Sequence, residues 1–263
     1  MKKRRFLPRF FMYAFLVIVC IGSIFPFYWM LSSATNYSVD IIKGRYMFGT
    51  AFIHNFKTLL KNVNITGAFW NSLRNTLVGT TVSLFICSLA GYGFQVYRDK
   101  NKDLVMVPFA SIVVPLFKMF STFKLLDTTA GFILPSISTA FLIFFFRQNS
   151  MSFPMEIVQA ARVDGLSEFN IYLKIYVPVM LPTFAAAGIV TFMNNWNNYL
   201  WPLIIMRTQD SQTMPLLLAS MTAGYTTDYG ALMLAVSICT LPTILLFITQ
   251  QKHFISGVIG SVK

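Results

Sequence analysis

The residues of this 263-residue chain best placed to do chemistry are amides and aromatic rings rather than acids or nucleophiles. Positions 194–202 read NNWNNYLWP. At 100° per residue, Asn194, Asn195, Asn197 and Asn198 spread over an arc of about 160° on one helix, with Trp201 inside the arc and Trp196 pointing the other way. Two roles fit such a face. The amides can lock neighbouring helices together, at about 0.6 kcal/mol per bond in a membrane bundle. They can also bond the polar groups of a solute while the Trp201 ring packs against it.

Other chemistries find little support in the sequence. His54 and His253 are isolated, so no metal site is expected. Cys20, Cys87 and Cys239 fall in apolar runs, where thiols usually pack as small hydrophobes. None of the nine acidic residues lies inside a long uncharged run, which argues against a carrier driven by protons or sodium through intramembrane carboxylates. No cluster of Asp, His, Ser or Cys of the kind an enzyme needs stands at the end of an apolar run.

A second unusual stretch is VQAARVDGLSEFNIYLKIYVPVMLP, Val158 to Pro182, a modestly charged island between apolar runs. Pro154 suits the first turn of a helix over Met155 to about Val163. That helix places Ile157, Ala160 and Ala161 together, and two alanines let another backbone come close. Gly165 fits the left-handed position that ends a helix, and Asp164 in the last turn opposes the dipole. Ser167 can cap a second helix whose apolar face would be Phe169, Tyr172, Leu173 and Tyr176. The product is a short surface helix–turn–helix over residues 150–176. It is either an interfacial elbow or a docking knob for a partner.

The elements that must carry these pieces follow from composition. Only 11% of residues are charged and 56% are hydrophobic, with a mean hydropathy of +0.62; soluble domains carry about 25% charged residues. Uncharged runs cover Phe10–Val39, Asn75–Tyr97, Thr128–Phe146, Ile175–Met206 and Tyr229–Gln251. Each reaches or approaches the roughly 20 residues that cross a bilayer. Leu104–Phe117 can span as well if Lys118 snorkels and the helix continues to about Phe123. The expectation is an all-α integral membrane protein, one transmembrane domain over residues 1–263. Its six spans lie near 10–32, 71–97, 104–123, 128–147, 177–206 and 229–251, and a tail covers 252–263. A folded cap is expected over Ser32–Trp70 and an outer loop over Arg207–Asp228. The net charge of +12 does not call for nucleic acid. Thirteen of the twenty-one basic residues, among them the KKRR and RDKNK clusters, fall on one side, and the positive-inside rule places both termini in the cytoplasm. MKKRR followed by an apolar run could open a secretory signal, but the run is longer than a signal core and no A-x-A site follows.

The island resembles the EAA loop of ABC-importer permeases, roughly E-A-A-x-x-x-G, nine residues, then I-x-L-P. Ala160, Ala161, Gly165, Ile175 and Pro178 match, Val177 replaces the leucine, and Gln159 stands where the family has glutamate. Gln159 cannot form that glutamate's salt bridge, although it can still hydrogen-bond, and Glu156 lies one turn before it. The resemblance covers almost the whole chain and narrows to carbohydrate importers, on the side of the second membrane subunit of the maltose type. It is carried by Asn71-Ser72-Leu73, LLDTTAGFILP (Leu125–Pro135), AARVDGLSEF, WNNYLWPL (Trp196–Leu203), YTTDYG (Tyr225–Gly230) and the tail QKHFISGVIGSVK. About eight residues are missing between Arg98 and Pro108 relative to that pattern.

The resemblance implies a type I ABC importer fold in a bacterial cytoplasmic (inner) membrane, and a permease subunit rather than an enzyme. Glu156, Gln159, Ala160, Ala161, Asp164, Gly165 and Phe169 would form the coupling helix seated in a groove of an ATPase. Phe254, Gly257 and Gly260 in the tail would make a second contact. Asn194, Asn195, Asn197, Asn198 and Trp201 would line the sugar pathway. The chain has no G-x-x-x-x-G-K-[ST] loop, so ATP and Mg would be bound by the partner ATPase and no cofactor by this chain. The implied partners are a second homologous permease, two ATPase subunits, an extracellular or periplasmic sugar-binding protein and membrane lipid, with no nucleic acid. A permease for a non-sugar solute, such as a polyamine or peptide, is the alternative within transport; a membrane scaffold or enzyme is the alternative outside it.

Overall fold

A computed structural model describes residues 6–96, 109–224 and 227–259, with residues 6–8, 109–111 and 251–259 described by backbone only. Helices dominate, and no strand occurs among the described residues. They run α1 (Phe6–Ser33), α2 (Ser38–Ile42), α3 (Phe52–Asn62), α4 (Ile65–Val96), α5 (Phe109–Thr122), α6 (Thr129–Ile133), α7 (Ala140–Ser150), α8 (Met155–Val163) and α9 (Glu168–Ile171). A π-helical turn (Tyr172–Tyr176) leads to α10 (Val177–Val179), α11 (Leu181–Trp196), α12 (Leu200–Ile205), α13 (Met214–Thr222) and α14 (Tyr229–Ile259).

Arg9–Ser33, Ile65–Val96 and Tyr229–Gln250 are each long and apolar enough to cross a membrane as single helices. Two further pairs pass the same test only if a bend is allowed: Thr129–Ser136 with Ala140–Ser150 at 50°, and Glu168–Val179 with Leu181–Ile205 at 82°. The continuous spans expected at 128–147 and 177–206 are therefore corrected to broken ones. Proline explains the second case. In an unbroken helix the Pro182 ring would strike the carbonyl of Pro178, and Pro202 that of Asn198. The chain instead breaks at Met180 and again at Asn197–Tyr199, which puts each proline in the first turn of a new helix, where it does no harm.

Other boundaries shift too. α4 starts at Ile65, six residues before the expected span at 71. Of the expected 104–123 span, the described part is α5, with Pro115 inside it. The expected outer loop over Arg207–Asp228 contains α13, and the cap over Ser32–Trp70 contains α2 and α3.

Where one domain over residues 1–263 is the expectation, the chain divides into two compact units: Met1–Ile65 with Leu217–Leu241, and Thr66–Leu216 with Pro242–Lys263. In the first unit, amides hold the cap. The Asn36 side chain donates to the carbonyls of Ser32 and Met47 at 2.9 and 2.8 Å, and Asn55 donates to those of Ala34 and Asn36 at 2.9 Å. Asp228 accepts from Ser38 Oγ at 2.8 Å and from the Ala231 N–H at 3.1 Å, capping α14. α1 itself is almost wholly uncovered, with none of its best 18-residue window buried.

The second unit is built on α4. One side of this helix buries Ser72, Asn75, Thr76, Thr80, Ser83, Cys87 and Ser88 at helical spacing. Its polar groups meet the backbone set free where other helices break. Ser83 Oγ donates to Ser136 O at 2.9 Å and Cys87 Sγ to Ile137 O at 3.4 Å, both at the α6–α7 bend. Ser72 Oγ accepts the Met214 N–H at 2.7 Å, and the Asn71 amide donates to the carbonyls of Asp210 and Gln212. With no water in the hydrocarbon, such groups need protein partners.

Candidate functional site

The helix–turn–helix folds as its sequence dictates. Gly165 at φ +80° ends α8 in a Schellman motif, with Leu166 N–H donating to Ala161 O and Gly165 N–H to Arg162 O, both at 3.0 Å. The Ser167 side chain accepts from the Asn170 N–H at 3.4 Å and so caps α9. Arg162 Nε lies 2.6 Å from Glu168 Oε1, an exposed pair joining the two helices across the turn. Pro154 sits at the N-cap rather than inside the first turn.

Which face packs is a correction. Val158 and Ala161 are buried with Phe153, Ile171, Tyr172, Tyr176 and the Tyr92 ring of α4. The expected trio of Ile157, Ala160 and Ala161 is therefore split, because the packing stripe is rotated by one residue. Phe169 and Leu173 also leave the expected apolar face, being 53% and 41% exposed. The π turn, with its extra residue, carries Tyr172 and Tyr176 inward and leaves Leu173 outside. The consequence is an uncovered surface. Glu156, Gln159, Ala160, Asp164, Gly165 and Phe169 are all exposed, and of the seven expected coupling residues only Ala161 is buried. Ile157 and Val163 join them, Val163 at 89% exposed. These two were legible three residues before and three after Ala160, as a second apolar edge on α8.

The amide stretch is not one face. α11 ends at Trp196, so the single-helix projection fails from Asn197 onward. Asn194 is exposed. Asn195 is buried, and its Nδ2 donates to Thr80 Oγ1 at 3.3 Å. Asn197 caps the end of α11, with Nδ2 donating to Met193 O at 3.0 Å. Asn198 Oδ1 accepts the Trp201 N–H at 3.4 Å at the start of α12. Trp201 is 2% exposed, donates from Nε1 to Gly131 O at 2.9 Å and meets Phe120 edge-on at 5.3 Å. Its ring is consumed by the core and offers no face for stacking. Trp196, equally buried, lies against Phe192 and Phe69.

Sequence reasoning gave Asp127 no role of its own. It sits at φ +57° in the loop before α6. One carboxylate oxygen accepts from the N–H groups of Arg207 and Thr208 at 2.6 and 3.0 Å, from Thr208 Oγ1 at 3.2 Å and from Ser211 Oγ at 2.5 Å, while its own N–H donates to Ile205 O. Partial burial would raise its pKa, but the bonds from Ser211, Thr208 and Arg207 outweigh that and hold the carboxyl below the usual range. The Arg207 guanidinium lies 5.0 Å from the Phe117 ring centre. This clasp fixes the turn before α6 to the end of α12 and the segment that follows it. A lone acid among turn residues was the available signal.

In the expected tail, Phe254 and Gly257 lie on α14, which continues without interruption to Ile259 rather than yielding a separate tail at Lys252. Gly260 lies outside the described residues.

Described residues that are predominantly helical, with long apolar spans, helices broken inside the apolar region and an exposed helix–turn–helix, have the architecture of a membrane transport subunit. Residues 104–260 match the family described as binding-protein-dependent transport system inner membrane component, and the chain belongs to it. The lactose transport system permease protein LacG of Rhizobium radiobacter is 44% identical over 99% of this chain and 98% of its own length. The arabinooligosaccharides transport system permease protein AraQ of Bacillus subtilis is 39% identical over 74% of this chain and 73% of its own. Among solved structures, a bacterial ABC transporter involved in the import of the acidic polysaccharide alginate superposes with a TM-score of 0.80. That match covers 97% of this chain and 99% of the other at 18% identity, so what is shared is the ABC-importer fold.

Proposed function

We propose that this chain is the permease subunit of an ATP-driven, binding-protein-dependent sugar importer, forming half of the translocation pathway. The observation that carries the sugar assignment is the 44% identity, across nearly the full length, to a lactose permease subunit. The partners would be a second homologous permease, two ATPase subunits that bind ATP and Mg, and a sugar-binding protein outside the membrane. The chain would cross the membrane six times with both termini in the cytoplasm, the residues 104–123 region supplying the third span.

Docking of the ATPase is supported by the exposed surface of α8 and its turn. A rigid pair of helices presents Ile157, Ala160, Val163 and Phe169, rimmed by Glu156, Gln159 and Asp164. An apolar centre with a polar rim is the composition of a protein interface. Within the pathway, the exposed amides of Asn194 and Asn197 are the ones able to meet a solute.

The test is purification of the chain from its native membrane and identification of what accompanies it. An ATPase, a second permease and a binding protein carrying a sugar are expected. A binding protein loaded with a polyamine, a peptide or another non-sugar solute would overturn the sugar assignment.

A further inference from the structure

The helix–turn–helix is fastened sideways to two membrane helices by a pair of buried tyrosines. Tyr172 OH lies 2.7 Å from Ser88 Oγ on α4, and Tyr176 OH lies 2.6 Å from Ser150 Oγ at the end of α7. Ser150 Oγ already donates to Phe146 O at 2.7 Å, so its one proton is used and Tyr176 is the donor to it. By the same reasoning Ser88, donating to Phe85 O at 3.1 Å, accepts from Tyr172. All four residues are at most 1% exposed. In such surroundings a lost partner leaves a buried polar group unpaired.

The rings are clamped as well as the hydroxyls. Tyr172 and Tyr176 stack at 5.7 Å and 23°, and Tyr92 of α4 packs on both, at 5.7 and 4.8 Å. Val158 and Ala161 of α8 belong to the same cluster, so the exposed helix and the tyrosines form one packed body. The chain's own continuation is a poor transmission line by comparison. After the π turn it bends by 82° at Met180, and α11 is not coaxial with the elements before it. A displacement of α8 therefore reaches the bundle most directly through the side, not along the chain.

We propose that Tyr172 and Tyr176 are the positioning residues through which movement of the helix–turn–helix is delivered to α4 and α7, with Ser88 and Ser150 as their anchors. The proposal rests on the ATPase-docking reading above. The π turn sets the geometry, because it presents two phenols, four residues apart, to two different helices.

The test uses the assembled transporter in lipid nanodiscs, with spin labels at Asn170→Cys on α9 of the helix–turn–helix and Leu77→Cys on α4, both exposed positions. Exposed Cys20 and half-buried Cys239 are replaced by serine, while buried Cys87 is kept. Distances are measured without nucleotide and with ATP plus vanadate. In the otherwise native chain, the α9–α4 distance distribution is expected to stay fixed, since the helix–turn–helix and α4 move as one body. In Tyr172→Phe/Tyr176→Phe, which keeps both rings, it is expected to broaden or shift on nucleotide addition, with the ATPase still bound. Ser88→Ala/Ser150→Ala removes the two short bonds from the other side, leaving Tyr172 only a long bond to Phe85 O at 3.5 Å, and must give a change in the same direction, whereas Ser88→Thr/Ser150→Thr retains the hydroxyls and must not. A distribution that shifts in the native chain, or one that stays fixed in both tether-removing variants while ATPase is retained, overturns the tethers alone. Absence of an ATPase from the native complex overturns the docking reading and the tethers with it.

Discussion

Gly91 of α4 and Phe146 of α7 meet with no space between them: a Cβ on Gly91 would lie 2.6 Å from Phe146 Cβ and 2.9 Å from the Arg147 nitrogen. Backbone forms part of that contact, so no rotamer change can relieve it. Gly91→Ala should part α4 from α7 beside the Ser88 and Ser150 anchors and cost about 1–3 kcal/mol, the usual range for overpacking. Thermal unfolding in detergent should show a lowered midpoint, and an unchanged midpoint would contradict the contact.

Gly165 presents the opposite case. A Cβ there would meet nothing within 4 Å, so the demand is purely conformational, at φ +80°. Gly165→Val should strain the turn by roughly 1–2 kcal/mol, the cost of a left-handed L-residue. It should leave membrane insertion intact, lower the midpoint by no more than that strain, and reduce the ATPase recovered with the chain. Normal ATPase recovery and normal uptake would rule out a docking role for this turn.

Asp127 makes pH the useful variable. Its pKa is depressed in the folded chain, so the clasp contributes stability above the unfolded value of about 3.9 and loses it as pH falls through the folded value. Asp127→Asn should therefore lower the unfolding midpoint at pH 7, by an amount corresponding to about 1 kcal/mol or less, because its partners are exposed or only part-buried and solvent screens the charge. The gap between variant and native chains should begin to narrow below about pH 4 and close once pH has fallen through the depressed folded value. A gap of the same size at pH 3 would mean that the carboxylate charge plays no part.

The broken amide stretch separates two kinds of effect. Trp201→Ala should lose about 3–5 kcal/mol by opening the core and should reduce the amount of folded protein rather than the choice of sugar. Asn194→Ala should leave the midpoint nearly unchanged, Asn197→Ala should lower it by the loss of its bond to Met193 O, about 0.5–1.5 kcal/mol, and both should alter uptake kinetics. If the two exposed variants take up sugar with the kinetics of the native chain, those amides are not in the pathway.

Much of this architecture is visible in the residues. Pro154, Gly165 and Ser167 mark the bounds of α8 and the cap of α9, because each acts locally through its own backbone geometry. The breaks in the amide stretch were also legible through the clash of Pro202 with residue 198, but a helical projection assumes continuity and hides it. Burial was the least legible property. In lipid an exposed surface is as apolar as a core, so α1, with a mean hydropathy of 2.3 over its span, is uncovered while the serines and threonines of α4 are buried. The π turn has no simple residue signature, so the inward tyrosines could be placed on a face but not paired with Ser88 and Ser150.

The polar side of α4 carries an implication for synthesis. The groups it serves at the helix breaks, at Ser136, Ile137, Asn195, Asp210, Gln212 and Met214, all come later in the chain than α4 itself. A nascent chain thus lays down its hydroxyls, thiol and amide before the ribosome produces the segments that need them. Each interrupted helix can leave the insertion machinery directly onto a waiting partner, and its unpaired backbone need never face lipid alone.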